Sequence, residues 1–147
     1  MPNNNEKCKF KLVDDLVSGD FVFDAYGESL NELFANCATA CFYAMTESAR
    51  VNSVSDYKIE LLGENLEELL FNFLSELIYL KDAERIFCSK FVIDIDIDKN
   101  SLSAVVWGEK INYERHTIKT DVKAVTYYGL KIINENDRYT VRVILDI

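Results

Sequence analysis

The side chains of this chain best able to do chemistry are acids, and most lie on stretches that alternate like strands. Asp94, Asp96 and Asp98 alternate with Ile93, Ile95 and Ile97, so in a strand their carboxylates would leave one face about 6.6 Å apart. An EF-hand loop opening at Asp94 needs glycine at its sixth position and glutamate at its twelfth. Lys99 and Val105 stand there, which excludes that loop. The ladder reads as a solvated face that discourages pairing with other sheets, with weak cation binding as the alternative. Asp146 ends the apolar run Val141-Arg142-Val143-Ile144-Leu145 and is followed by Ile147. Its carboxylate and the α-carboxylate of Ile147 form a hard-oxygen half-site for Ca²⁺ or Mg²⁺ if another acid approaches. The plainer reading is an acidic chain end, with Asp146 touching Arg142. Asp20, opening an apolar strand after Ser18-Gly19, is either a third ligand or a turn residue.

Other chemistry is thinly represented. Lys123, in Val122-Lys123-Ala124-Val125-Thr126-Tyr127-Tyr128, either snorkels from a half-buried face or pairs with an acid. His116 sits in the polar loop Glu114-Arg115-His116-Thr117 and reads as a surface residue. With Glu109 it is the only candidate for a general base. Cys37 and Cys41 share a face of a predicted helix, and with Cys8 and Cys88 they form no C-x-x-C pair. The reading is buried reduced thiols rather than zinc or a disulfide. No phosphate-binding glycine loop, Ser/His/Asp set or nucleophilic cysteine motif is present.

The elements needed to position these groups follow from periodicity. Lys9 to Val13 begins as a strand and breaks at Asp14-Asp15; Asp20 to Tyr26 is a second strand, stopping at Gly27. Ser29 with Glu32 forms a capping box for a helix with the stripe Leu30, Leu33, Phe34, Cys37, Ala38, Cys41 and Met45, ending near Glu47. Tyr57 to Leu61 alternates up to Gly63. Asn65 with Glu68 then caps a second helix, with the stripe Leu66, Leu69, Leu70, Phe73, Leu74, Leu77 and Ile78, running out near Asp82. Strands follow at Phe91 to Ile97, Leu102 to Trp107, Ile111 to Tyr113, Val122 to Ile133 and Tyr139 to Ile147. Their turns are expected at Asp98-Lys99-Asn100, Gly108-Glu109 and Asn134 to Asp137. Hairpin-linked strands with two early helices predict an α+β fold, the helices packed on a largely antiparallel or mixed sheet. One domain spanning residues 1–147 is expected, with 1–8 frayed.

Composition narrows the partners. The hydrophobic fraction is 49% and the charged fraction 28%, with one proline and five glycines, a globular composition. The net charge of −9 opposes direct nucleic-acid binding, which draws its affinity from Lys and Arg displacing counterions. Cations and basic protein surfaces suit it better. No basic start followed by an apolar run marks a leader, and no apolar stretch is long enough to span a bilayer, so no membrane role and a cytoplasmic location are expected.

Several segments, in order, resemble a known family. Val122-Lys123-Ala124-Val125-Thr126-Tyr127, with His116 upstream and Leu145-Asp146-Ile147 downstream, resembles the C-terminal signature of the archeases. Tyr26-Gly27-Glu28-Ser29-Leu30-Asn31-Glu32-Leu33-Phe34 is similar to the start of their first helix, and Ala44-Met45-Thr46-Glu47 stands where they commonly have Met-Thr-Asp. Glu76-Leu77-Ile78-Tyr79-Leu80-Lys81-Asp82 is similar to the end of their second helix, and Trp107-Gly108-Glu109 to their turn. The resemblance implies an archease-like chain that is not itself an enzyme. It would activate a GTP-dependent RtcB-type tRNA-splicing ligase by promoting its guanylylation and turnover, using one divalent cation, Ca²⁺ or Mg²⁺. It further implies metal ligands at Asp20, Asp146 and Ile147 and a ligase-activating lysine at Lys123. The family's Asp-His-Thr-Ala-Asp-Val motif stands here as Leu16-Val17-Ser18-Gly19-Asp20-Phe21, without its first acid and histidine. Asp15, one residue earlier, is the candidate to stand in for that acid through a shifted loop. A cation-dependent small-molecule enzyme built on His116 and Glu109, and a metal-free adaptor, are the alternatives.

Overall fold

A computed structural model describes residues 9–13 and 19–147. The expectations for the first eight residues, for Cys8 and for Asp15 to Ser18 lie outside the described residues. The elements run β1 (Phe10–Leu12), β2 (Asp20–Gly27), α1 (Leu30–Met45), a 3₁₀ turn (Ser48–Arg50), β3 (Ser55–Leu62), α2 (Leu66–Ala83), β4 (Ile86–Asp96), β5 (Ser101–Lys110), β6 (Ala124–Val125), β7 (Ile132–Glu135) and β8 (Arg138–Asp146). The class is α+β, and all pairings are antiparallel. Among the described residues there are two sheets: β1-β2-β8-β6 with β7 also on β8, and β3-β5-β4.

Both helix starts obey their capping chemistry. Ser29 Oγ accepts from Glu32 N–H at 3.1 Å and Asn65 Oδ1 from Glu68 N–H at 2.8 Å, each satisfying a donor of the first turn. The two glutamates reach back one residue beyond the cap, to Glu28 N–H and Glu64 N–H. Beyond its expected stripe, α1 also buries Asn36, Ala40, Phe42 and Ala44. A helix buried on more than one side must be covered on more than one side, and α1 packs against β2 of one sheet and β4 of the other. The amide of Asn36 is satisfied there by Tyr26 O at 2.7 Å.

Three strand expectations need correction. Gly108 makes no turn: β5 runs straight through it, and Ile111 to Tyr113 is not a strand. A Cβ at Gly108 would lie 2.0 Å from Phe87 O, so glycine is required where β4 bulges between Cys88 and Lys90 and the two backbones close in. The long strand Val122 to Ile133 is split into β6 and β7 by a turn in which Leu130 N–H donates to Tyr127 O and Gly129 takes φ +74°. That positive φ at the third turn position belongs to a type II turn. The hairpin from β7 to β8 is tighter than expected, with Asn136 and Asp137 at φ 54° and 60° between the paired Glu135 and Arg138. Two left-handed central residues make it a two-residue turn of the type that matches strand twist.

Candidate functional site: an acid pair and a lysine at one end of a sheet

In the β2–β8 pair, Phe21, Phe23 and Ala25 pack into the core opposite Leu145, Val143 and Val141. The alternate residues lie on the sheet's other face, where Val22 is itself buried, and they pair Asp20 with Asp146, Val22 with Ile144 and Asp24 with Arg142. Asp24 and Arg142 form a complete ion pair, Nε to Oδ1 at 2.8 Å and Nη2 to Oδ2 at 3.0 Å. The Asp146–Arg142 contact considered from sequence is therefore not made. Asp20 and Asp146 have no such partner among the described residues. Directly opposed residues have Cα atoms about 4.5–5.5 Å apart, and like charges placed so are destabilising.

Lys123 arrives at the same rung from the other side of β8. Lys123 N–H donates to Asp146 O at 2.8 Å and Thr126 N–H to Ile144 O at 2.9 Å. The donors are three residues apart and the acceptors two, so β6 carries one extra residue, a β-bulge. Burial follows suit: Val122 and Val125 are buried, while both Lys123 and Ala124 are exposed. Simple alternation would have packed Ala124 together with Val122; the bulge instead turns both intervening residues outward, next to Asp146. Ile147 is half-buried beside them.

The irregular segment before β6 is held at each step. Lys119 N–H and Thr120 N–H donate to Met45 O and Ala44 O, capping the last turn of α1, and Thr46 Oγ1 donates to Thr117 O at 2.7 Å. Lys81 of α2, its side chain 8% exposed, then donates to Asp121 Oδ1 and Val122 O, each at 2.8 Å. Burial works against the Lys81 ammonium, but hydrogen bonds to Asp121 and Asp82 outweigh it and raise its pKa. Asp121 is lowered in turn by Lys81. Sequence reasoning missed Lys81, although it falls four residues after Leu77, on the buried stripe where a charge is out of place.

His116 is not the surface residue expected. It is buried, its Nδ1 accepts from Asn112 N–H at 2.9 Å, and its Nε2–H faces Glu109 Oε2 at 3.0 Å. A ring nitrogen facing an N–H must be the acceptor, so the neutral tautomer protonated at Nε2 is fixed from both sides. Glu109 also accepts from Asn52 N–H at 2.6 Å and from Arg115. Burial opposes its charge, yet the hydrogen bonds from Arg115, Asn52 and His116 hold its carboxyl down at about 2. The adjoining groove, about 730 Å³, is lined by Glu109, Asn112, Tyr113 and Arg115 but not by His116. The pair staples the 112–116 turn to β5 and leaves no free base. Cys37, Cys41 and Cys88 are buried free thiols; desolvation raises all three, Cys41 and Cys88 to about 12.

With the geometry in place, comparison decides the family. The sequence profile of the archease protein family matches residues 10–147. The chain belongs to the archease family. It is 34% identical over 139 residues to Protein archease of Sulfolobus acidocaldarius, covering 95% of this chain and 99% of that protein. Protein archease-like of Drosophila melanogaster is 37% identical over 145 residues, covering 96% and 92%. The solution structure of Methanobacterium thermoautotrophicum Protein 1598 matches with a TM-score of 0.82 and 36% identity, covering 95% of this chain and 99% of that one. The crystal structure of an archease from Thermotoga maritima, described as a possible chaperone, shares the fold at a TM-score of 0.63 and 17% identity over the full length of both.

Of the residues expected at the site, Asp20, Asp146, Ile147 and Lys123 come together at one end of one sheet. His116 and Glu109 lie elsewhere, bound to each other. Asp94 and Asp96 are exposed on β4, which among the described residues pairs with β5 alone, and Asp98 is exposed in the turn beyond it, as a solvated face should be. Among the described residues no three His, Cys, Asp or Glu side chains cluster as a metal site would. Among them, too, no helix is long and apolar enough to cross a membrane.

Proposed function

We propose that this chain is an accessory protein that activates a GTP-dependent RtcB-type tRNA-splicing ligase, promoting its guanylylation and turnover without being the catalyst. The observation that carries the reading is the Asp20–Asp146 rung, to which the backbone of the exposed Lys123 is hydrogen-bonded at a bulge. A like-charged cross-strand pair costs folding free energy, so its presence calls for a cation or a partner that neutralises it. Two opposed carboxylates and the main-chain oxygens of Ile147 are hard donors, suited to Ca²⁺ or Mg²⁺ rather than zinc. They supply only part of a coordination sphere, so Asp15 or water would have to contribute the remainder. Such a cation would neutralise the acids and fix the rung; the protein's own part is to hold Asp146 in register and to aim Lys123.

The lysine is the group suited to an anionic partner. Its ammonium is a compact point charge on a flexible stem, able to approach the phosphate oxygens of a nucleotide-bearing ligase site. The net charge of −9 makes a protein docking surface, and not free tRNA, the expected partner. A guanylylation assay of the cognate ligase, with and without this protein, tests the proposal. Stimulation that needs a divalent cation is expected; an unchanged guanylylation rate at saturating protein would overturn it. Tight binding of tRNA at physiological salt in the absence of ligase would contradict the partner assignment.

A further inference from the structure

The peptide group joining Val122 to Lys123 is held at both of its polar ends. Its carbonyl accepts from Lys81 Nζ at 2.8 Å, and its N–H donates to Asp146 O at 2.8 Å. Lys81 has three ammonium protons and three acceptors: Val122 O, Asp121 Oδ1 at 2.8 Å and Asp82 Oδ1 at 2.5 Å. The donor is therefore saturated, and its direction toward Val122 O is fixed. Packing alone does not call for a charge here. Lys81 continues the stripe of Leu74, Leu77 and Ile78, where a methionine would fill comparable volume with no ammonium to desolvate. The charge is balanced by Asp82 and Asp121, and it also grips one peptide group through a hydrogen bond about twice as strong as a neutral one.

We propose that Lys81 is a positioning residue of the acid–lysine site. By gripping Val122 O it orients the Val122–Lys123 peptide, which sets the direction of the Lys123 side chain at the bulge and anchors the Asp146 carbonyl beneath the acid pair. The far end of α2 is thereby wired to the site through two hydrogen bonds. The effect on the ligase rests on the activation reading; the effect on the peptide does not.

Lys81→Met tests both parts. By amide hydrogen exchange, the Lys123 N–H of the variant should exchange about tenfold faster or more, while Val143, deep in β8, keeps its protection. Maximal ligase stimulation should fall about 100-fold, as for a group displaced by an ångström, with the half-saturating concentration nearly unchanged because the docking surface remains. Asp121→Asn, which leaves the bond to Val122 O in place, should behave like wild type in both assays. Unchanged exchange at Lys123 in Lys81→Met overturns the positioning role. Faster exchange with full stimulation overturns its functional consequence. If wild type itself fails to stimulate the ligase, the activation reading falls and amide exchange alone decides the positioning role. Should Lys81→Met not fold, the wild-type ammonium decides: NMR should find its protons exchanging slowly and correlated with the Val122 carbonyl. Exchange as fast as that of the exposed Lys58 overturns the inference.

Discussion

Two rungs of the same strand pair, both on the same face and separated only by Val22 and Ile144, treat their acids in opposite ways. At one, Asp24 is matched by Arg142 with two hydrogen bonds of 2.8 and 3.0 Å. At the other, Asp20 faces Asp146, and the backbone of Lys123 is brought alongside by a bulge without its side chain closing an ion pair among the described residues. The same backbone could have carried a matched pair at both. The difference teaches where to look for function: a partnered acid serves the fold, while an opposed pair of acids is a cost that no ion pair among the described residues relieves. Glu109, with Arg115, His116 and Asn52 around it, belongs to the first kind.

The comparison can be broken outright by converting the second rung into the first. Asp146→Lys places a cation opposite Asp20. Loss of a divalent-cation ligand should cut ligase stimulation by about 100-fold or more, while thermal unfolding should show the variant more stable by about 0.2–1 kcal/mol. A variant that is less stable yet fully stimulating would mean that the opposed acids are a structural feature. Lys123→Ala probes the same rung more lightly. Stimulation should collapse, with stability in urea moved by no more than about 0.5 kcal/mol, as for an exposed strand residue.

For the partnered acids the effects should be on folding alone. Glu109→Gln leaves Arg115 without its counter-charge and should cost about 1–3 kcal/mol in urea unfolding, with stimulation of the ligase unaltered once folded. The sign of the pH dependence follows from its lowered carboxyl. The folded state holds Glu109 at about 2 against an ordinary 4.5, so its stabilising contribution is complete above pH 4.5 and is lost as pH falls toward 2. Acid unfolding of Glu109→Gln should lack that part of the wild-type slope. The smallest effect is expected at Arg142→Ala, whose side chain is half exposed; it should cost no more than about 1 kcal/mol and leave stimulation intact.

Much of this contrast was legible before the structure. The period-2 runs that begin at Asp20 and end at Asp146 mark both acids as anomalies, and the helix caps at Ser29 and Asn65 are legible because capping is local chemistry. Register was not legible: that Asp20 meets Asp146 and Asp24 meets Arg142 depends on a pairing across most of the chain. Nor was the bulge, since alternation assigns Lys123 a face without revealing an extra residue. At Gly108 the sequence is ambiguous, because a glycine marks either a turn or a close backbone approach, and only the tertiary contact with Phe87 distinguishes them. The burial of His116 is not legible either, because its polar neighbours in sequence hide the fact that Glu109 and Phe87 enclose it.

The most direct test of the central claim is a single-turnover guanylylation measurement with the cognate ligase, Ca²⁺ or Mg²⁺ and three proteins side by side: wild type, Arg142→Ala and Asp146→Lys. Wild type and Arg142→Ala should accelerate the reaction equally, and Asp146→Lys should leave it at the rate of the ligase alone. Equal acceleration by all three would contradict the assignment of the Asp20–Asp146 rung as the activating site.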